Sequence, residues 1–293
     1  MKVKTFFMAS ILSCAMTAFT QASTDFTALR QSAEQENTQA QFILGLMYDL
    51  GDGVPQDHQQ AAVWYRKAAE QGHASAQSYL GGMFADGQGV PQDYQQAVAW
   101  FRKAAEQGDA SAQFNLGLMY YEGQGVPEDH QQALTWYRKA AEQGDARAQF
   151  NLGLMYYEGQ GVPEDHRQAF TWFRKAAEQG QASAQFNLGF LYDQGLGVPQ
   201  DYQQALTWYR KAAEQGDASA QFNLGDMYGK GQGVQQSSQQ GYAWISVSIA
   251  NGFREQAIAI SIRDALAEKL SSTQLIEAQK LATAYFEQYR PSQ

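Results

Sequence analysis

Over residues 37–252 apolar positions recur with helical spacing, and the whole pattern recurs every 36 residues. Trp64, Trp100, Trp136, Trp172, Trp208 and Trp244 keep that step. So do Pro55, Pro91, Pro127, Pro163 and Pro199. Residues 109–144 show the unit. One segment runs from Asp109 to Gly123 and a second from Asp129 to Gly144, each with apolar residues three and four apart. No window alternates with the period of two that a strand needs. Each unit is therefore expected to hold two helices, A and B.

The ends of both helices are written in the sequence. Asp109 can cap helix A by accepting from a free amide, and Gly123 tolerates the left-handed conformation past its end. Pro127 has no N–H and biases Val126 away from helix, so Gly123-Gln124-Gly125-Val126-Pro127 is a turn. Asp129 is the N-cap of helix B, with Gln132 as its expected capping-box partner, and Gly144 ends the helix.

On helix B, Ala133, Trp136, Tyr137, Ala140 and Ala141 form an apolar stripe, opposite Thr135, Arg138, Lys139 and Glu142. Helix A has two apolar arcs. Ala112, Leu116, Met119 and Tyr120 are expected to face helix B of the same unit. Ala110, Phe114, Gly117 and Tyr121 are expected to face an adjacent unit. A narrow strip of Ser111, Asn115, Leu118 and Glu122 remains for solvent.

Length alone suggests two domains, at ~100–200 residues each. The repeat replaces that with one all-α array of six units: 37–72, 73–108, 109–144, 145–180, 181–216 and 217–252. Residues 25–36 align with the end of helix B, with Ala28 at the tryptophan position and Glu36 at the glycine position, so 23–36 read as a capping half-repeat. At the other end residues 253–293 read as two capping helices, one in the helix A position and one opened by a capping box of Ser271 and Gln274. The sixth unit is loosened, with Gln235 at the proline position and Gly241 at an alanine position.

Composition changes the picture in two places. Hydrophobic residues at 44% and aromatics at 13% supply a core, so the low charged fraction of 17% does not signal disorder. The formal charge of −9 becomes two units more negative if a leader carrying Lys2 and Lys4 is removed, which argues against nucleic-acid or anionic-lipid binding. That leader is the second change. Lys2 and Lys4 precede an apolar stretch from Thr5 to Phe19, and Thr20-Gln21-Ala22 offers small side chains for cleavage after Ala22. Residues 1–22 read as a signal peptide, the stretch being too short for a membrane span. Cys14 is the only cysteine, so lipidation is a minor alternative and the mature chain has no disulfide. The periplasm is the expected location, with secretion as the alternative.

The units resemble the Sel-one-like repeat family, a branch of the tetratricopeptide-like superhelices. In the third unit the matching residues are Ala110, Ala112, Leu116, Gly117, Tyr120, Gly123, Gly125, Val126, Asp129, Ala133, Trp136, Tyr137, Ala140, Ala141 and Gly144. The resemblance implies a right-handed α/α superhelical solenoid and a role as an adaptor for protein complexes. It also implies frequent export among bacterial relatives.

Candidate chemistry is outweighed by structure. His58, His130 and His166 share one repeat position, but Tyr94, Tyr202 and Ser238 interrupt the row, and a metal needs converging ligands. Glu128, Asp129, Glu164 and Asp165 give two acids per turn, too few for calcium. The Gly-Gln-Gly-Val-Pro turn lacks the lysine and strand of a phosphate loop. A sugar-stacking tryptophan ladder is less consistent with the buried stripe than core packing is. No catalytic residue, cofactor or metal is expected. Some cysteine-rich relatives are discussed as β-lactam hydrolases, but their paired cysteines are absent, so that reading stands last.

The expectation is a non-enzymatic scaffold of the envelope or secreted space, with a protein or peptide as its partner. The alternative is a peptidoglycan- or glycan-associated factor. The expected site is a concave groove lined by Tyr79, Asn115, Leu118, Arg147, Asn151, Leu154, Asn187, Phe190 and Asn223. The four asparagines form a ladder whose amides can pair with a peptide backbone, Leu118, Leu154 and Phe190 add apolar contacts, and Arg147 adds a cation.

Overall fold

A computed structural model describes residues 26–289. The expected leader, Cys14 and residues 23–25 of the N-terminal cap lie outside the described residues. Every regular element within them is a helix. A short α1 spans 26–34. Helix A of the successive repeats is α2 (Thr38–Leu50), α4 (Ala74–Asp86), α6 (Ala110–Glu122), α8 (Ala146–Glu158), α10 (Ala182–Gln194) and α12 (Ala218–Lys230). Helix B is α3 (His58–Glu70), α5 (Tyr94–Glu106), α7 (His130–Glu142), α9 (His166–Glu178), α11 (Tyr202–Glu214) and α13 (Ser238–Ala250). The helices α14 (Gln256–Ala267) and α15 (Ser272–Tyr289) follow. By its contacts the chain falls into two compact units, Met1–Ala140 and Ala141–Gln293, and each is described by itself.

In the first unit the helix ends form as the sequence dictates. Asp109 accepts from the Ala112 amide at 2.8 Å. Gly123 takes φ 67° and returns its N–H to the Met119 carbonyl. Asp129 accepts from the amides of Gln131 and Gln132. The expected capping box at Gln132 is not closed, because the Asp129 N–H is already donated to the Tyr120 carbonyl at 2.8 Å. That bond fixes the turn to the end of helix A. The turn's second glycine, Gly125, has φ 72°, and a Cβ there would stand 2.3 Å from the Tyr94 carbonyl oxygen, so the turn rests on the first residue of the preceding helix B.

The core is built from small and large columns. Ala61, Ala68, Ala97, Ala104 and Ala112 are fully buried, as are Tyr65, Leu80 and Leu116. Each buried aromatic or leucine contributes roughly 1.5–3 kcal/mol by leaving water. The assignment of the two arcs of helix A is corrected by the packing. A Cβ on Gly117 would lie 2.8 Å from Cδ1 of Tyr137, so Gly117 is the seat of its own repeat's aromatic ring, not a contact to another repeat. Phe114 belongs to the same interface, with its ring centroid 5.7 Å from Tyr137. Tyr120 goes the other way, accepting a hydrogen bond from Arg102 on the preceding helix B at 2.7 Å.

A polar latch joins successive repeats. Gln77 on α4 is 4% exposed, donates to the Ala69 carbonyl at the end of α3 and accepts from Gln107 at the end of α5. In the second unit Gln185 repeats this, donating to Ala177 and accepting from Gln215. The carbonyls at the end of a helix have no partner within it, and the glutamine supplies one.

The second unit buries Ala205, Tyr209, Ala212, Ala213, Leu224, Met227 and Trp244 together. Ser271 and Gln274 close the expected capping box, with bonds of 3.0 and 3.4 Å in the two directions. The α15 helix covers the last repeat: Ala278 is fully buried, and Tyr285 stacks on Trp244 at 4.4 Å. At the other end of the chain, in the first unit, Ala33 of α1 packs with Leu44 and Trp64, while Ala28 is exposed.

The tryptophans are core residues with one qualification. Trp64, Trp100, Trp172 and Trp244 are buried, but Trp136 and Trp208 are half-buried. Lys139 is exposed, as expected of the polar stripe, and its Nζ lies 4.0 Å from the centre of the Trp136 ring. Lys67, Lys103, Lys175 and Lys211 do the same at 4.1, 4.1, 4.0 and 3.9 Å. A lysine stem three residues on covers the ring while its charge stays in water.

Candidate functional site

Helices α4 and α6 carry the strip residues of the first unit. Tyr79 is 46% exposed, and Asn115 and Leu118 are half-buried. The neighbours Leu80, Leu116 and Met119 are buried, so the strip is the accessible edge of an otherwise packed helix. Helical geometry explains this: helix A is covered on two arcs, and only the remaining strip of its surface meets water.

Tyr79 and Asn115 share a cavity of about 280 Å³, lined also by Asp49, Ser78, Gly82, Met83, Asp86, Gln88 and Ser111. Its cause lies in two substitutions within the second repeat. Ser78 stands where the other repeats carry Phe42, Phe114, Phe150, Phe186 and Phe222. Gly82 stands where they carry Leu46, Leu118, Leu154, Phe190 and Asp226. A Cβ on Gly82 would meet nothing within 4 Å. The expected groove residues did not include Ser78, Gly82, Asp49 or Asp86. The column through Gly82 is legible in the sequence as Leu46, Gly82, Leu118, Leu154, Phe190 and Asp226, and reading the Ser78 column in the same way finds the second small residue.

In the second unit Arg147 is exposed and Asn151, Leu154, Asn187, Phe190 and Asn223 are half-buried. Arg147 is not a free cation: its Nη2 meets Asp145 Oδ2 at 2.6 Å, so the helix cap and the arginine form an ion pair. Asn187 turns its Nδ2 back to the Ser183 carbonyl at 2.9 Å, leaving its oxygen and its second N–H available. Phe190 meets Tyr157 edge to face, with centroids 6.4 Å apart.

The histidines engage local partners. His58 Nδ1 lies 2.9 Å from Asp49 Oδ1, His130 Nε2 lies 3.2 Å from Glu128, and His166 Nε2 lies 3.3 Å from Glu164. His130 also stacks on Tyr121. Among the described residues no three His, Cys, Asp or Glu side chains converge as metal ligands would, and no helix is long and apolar enough to cross a membrane. His73, unremarked in the sequence pattern, caps α4: its Nδ1 accepts from the Ala76 amide at 3.2 Å and its ring stacks on Phe42 at 4.6 Å.

The helix pairs and their glycine seats define a class of repeat proteins in which side chains of helix A form an accessible strip. The Sel1 repeat matches residues 38–73, 74–109, 110–145, 146–181, 182–217 and 218–253, and the chain belongs to that family. Among solved structures it is similar to a Sel1 repeat protein from Oxalobacter formigenes, at 39% identity, TM-score 0.65, over 73% of this chain and 86% of that one. It is also similar to a protective antigen of uropathogenic Escherichia coli displaying an SLR fold, at 30% identity and TM-score 0.40, over 89% and 86% of the two chains. A comparison with curated proteins gave no match. The family generally mediates protein–protein interactions.

Proposed function

We propose that this Sel1 repeat protein is a non-enzymatic scaffold of the bacterial envelope or secreted space that takes a protein or peptide partner along the strip of helix A. One observation carries the reading. Along the repeats the buried columns stay constant, as with Leu80, Leu116, Leu152, Leu188 and Leu224, while the accessible column changes through Leu46, Gly82, Leu118, Leu154, Phe190 and Asp226. Constancy of the buried leucines serves packing, and variation at this open position of helix A suits recognition. Asn151, Asn187 and Asn223 offer amides to a peptide backbone within the second unit, and Leu154 and Phe190 offer apolar contact.

The test is a pull-down from an envelope fraction followed by the double substitution Asn151→Ala with Asn187→Ala. Lost capture with an unchanged melt supports the strip. Unchanged capture, with loss on substituting Arg138 and Lys139, moves binding to the face of helix B. Capture of glycan alone favours the peptidoglycan reading. Export is read by N-terminal sequencing of the secreted or periplasmic protein, which should begin at Ser23. A soluble cytoplasmic pool retaining Met1 would refute export.

A further inference from the structure

We propose that the cavity of the second repeat is a subsite for one arginine side chain of the partner. The inference rests on helix A being the binding face and names what that face selects. Phenylalanine fills the Ser78 position in every other repeat, and leucine, phenylalanine or aspartate fills the Gly82 position, so only this repeat has small residues at both. Ser78 is 8% exposed, lines the cavity, and its hydroxyl has no hydrogen-bond partner among the described residues. Its oxygen opens into the cavity, free to accept from or donate to a group that enters.

The lining selects the ligand by charge. Asp49 and Asp86 supply two carboxylates, and no lysine or arginine lines the cavity. Asp86 has no ion-pair partner among the described residues. Asp49 already accepts from His58 and from the Tyr65 hydroxyl, which hold its carboxylate in place and leave a lone pair on each oxygen. Ser78, Ser111 and Asn115 add neutral acceptors. Tyr79 presents an exposed ring, held by edge contact with Phe42 and by Tyr65 at 5.3 Å. Several acceptors around one aromatic face match a guanidinium, which carries five donors in a plane and stacks on rings. An ammonium would use fewer of them.

The probe is N-acetyl-arginine methylamide, titrated into isotope-labelled mature protein and followed by amide NMR shifts, with the neutral citrulline analogue as control. The expected result is saturable shifts around Asp49, Gly82 and Asn115 with arginine, at least tenfold weaker with citrulline. Gly82→Leu restores the side chain of the neighbouring repeats, so it should abolish binding while leaving the melt equal or higher. Asp86→Asn should weaken binding at least tenfold. Asn151→Ala with Asn187→Ala should leave it unchanged. Equal binding of citrulline, absent shifts, or retained binding in Gly82→Leu would overturn the proposal. Arginine binding with a captured partner indifferent to the strip variants would defeat the scaffold reading alone. Lost partner capture without arginine binding would defeat the subsite alone.

Discussion

The Cα of Gly81 faces the ring of Phe101 so closely that a Cβ there would stand 2.8 Å from Cδ1, while the adjacent Gly82 faces open space. Two neighbouring glycines on one helix thus have opposite reasons to be small. Gly81 makes room for a core ring that is 3% exposed. Gly82 opens the strip. Both Gly→Ala changes gain the same helix propensity, ~1 kcal/mol. Gly82→Ala should therefore stabilise the chain by that amount. Gly81→Ala should fall below it by ~1–3 kcal/mol, the usual cost of overpacking. Denaturant midpoints of the two variants measure the difference; equal midpoints would show that the ring moves aside freely.

The latch glutamines should carry stability out of proportion to their polarity. Gln185→Leu keeps the volume and removes two hydrogen bonds, one buried and one part-buried, at ~0.5–1.5 kcal/mol each. A loss of ~1–3 kcal/mol is expected. Ser183→Ala, nearby on the exposed strip of the same helix, should stay within ~0.5 kcal/mol of wild type. Urea melts of the second-unit variants decide it, and a neutral Gln185→Leu would mean the latch only fills space.

Acid should weaken the cap of α4. His73 accepts the Ala76 amide through Nδ1, so it must keep that lone pair, and burial holds its pKa below the ordinary value. A folded-state pKa below the unfolded one adds stability above the ordinary histidine pKa of ~6.5, lost as the pH falls through the lowered value. Asn37 already plays this cap in the first repeat, accepting from Ala40 at 2.8 Å. The melting difference between wild type and His73→Asn should therefore be constant at neutral pH and shift in favour of the variant in acid. A difference that does not move with pH would remove His73 from the account.

The aromatic pair of helix B should split in energy. Tyr137 is 1% exposed and seated on Gly117, whereas Trp136 is half-buried under Lys139. Tyr137→Ala should cost ~3–5 kcal/mol by leaving a cavity. Trp136→Ala should cost less, and Thr135→Ala, whose hydroxyl only returns to the Gln131 carbonyl, should cost within ~0.5 kcal/mol. Chemical melts of the three variants give the order, and a larger loss at Trp136 than at Tyr137 would reverse it.

The sequence by itself determined the repeat, the two helices in each unit and most of their ends. Those features are local: an aspartate oxygen reaches amides two or three residues on, and glycine adopts positive φ wherever it stands. It also determined which column of helix A meets solvent, because helical spacing fixes the angle of each side chain about its own axis. Only the tertiary structure decided what lies at that angle. Gly117 and Phe114 turned out to serve Tyr137 of their own repeat, and Tyr120 the arginine of the preceding one. Gln77 and Gln185, polar by type, are buried because a neighbouring helix ends with its carbonyls aimed at them. The cavity at Ser78 and Gly82 is of the same kind. Their small size is visible in the chain, but the opening they make is bounded by Asp49 and Asn115 on other helices, and only packing brings those side chains to one place.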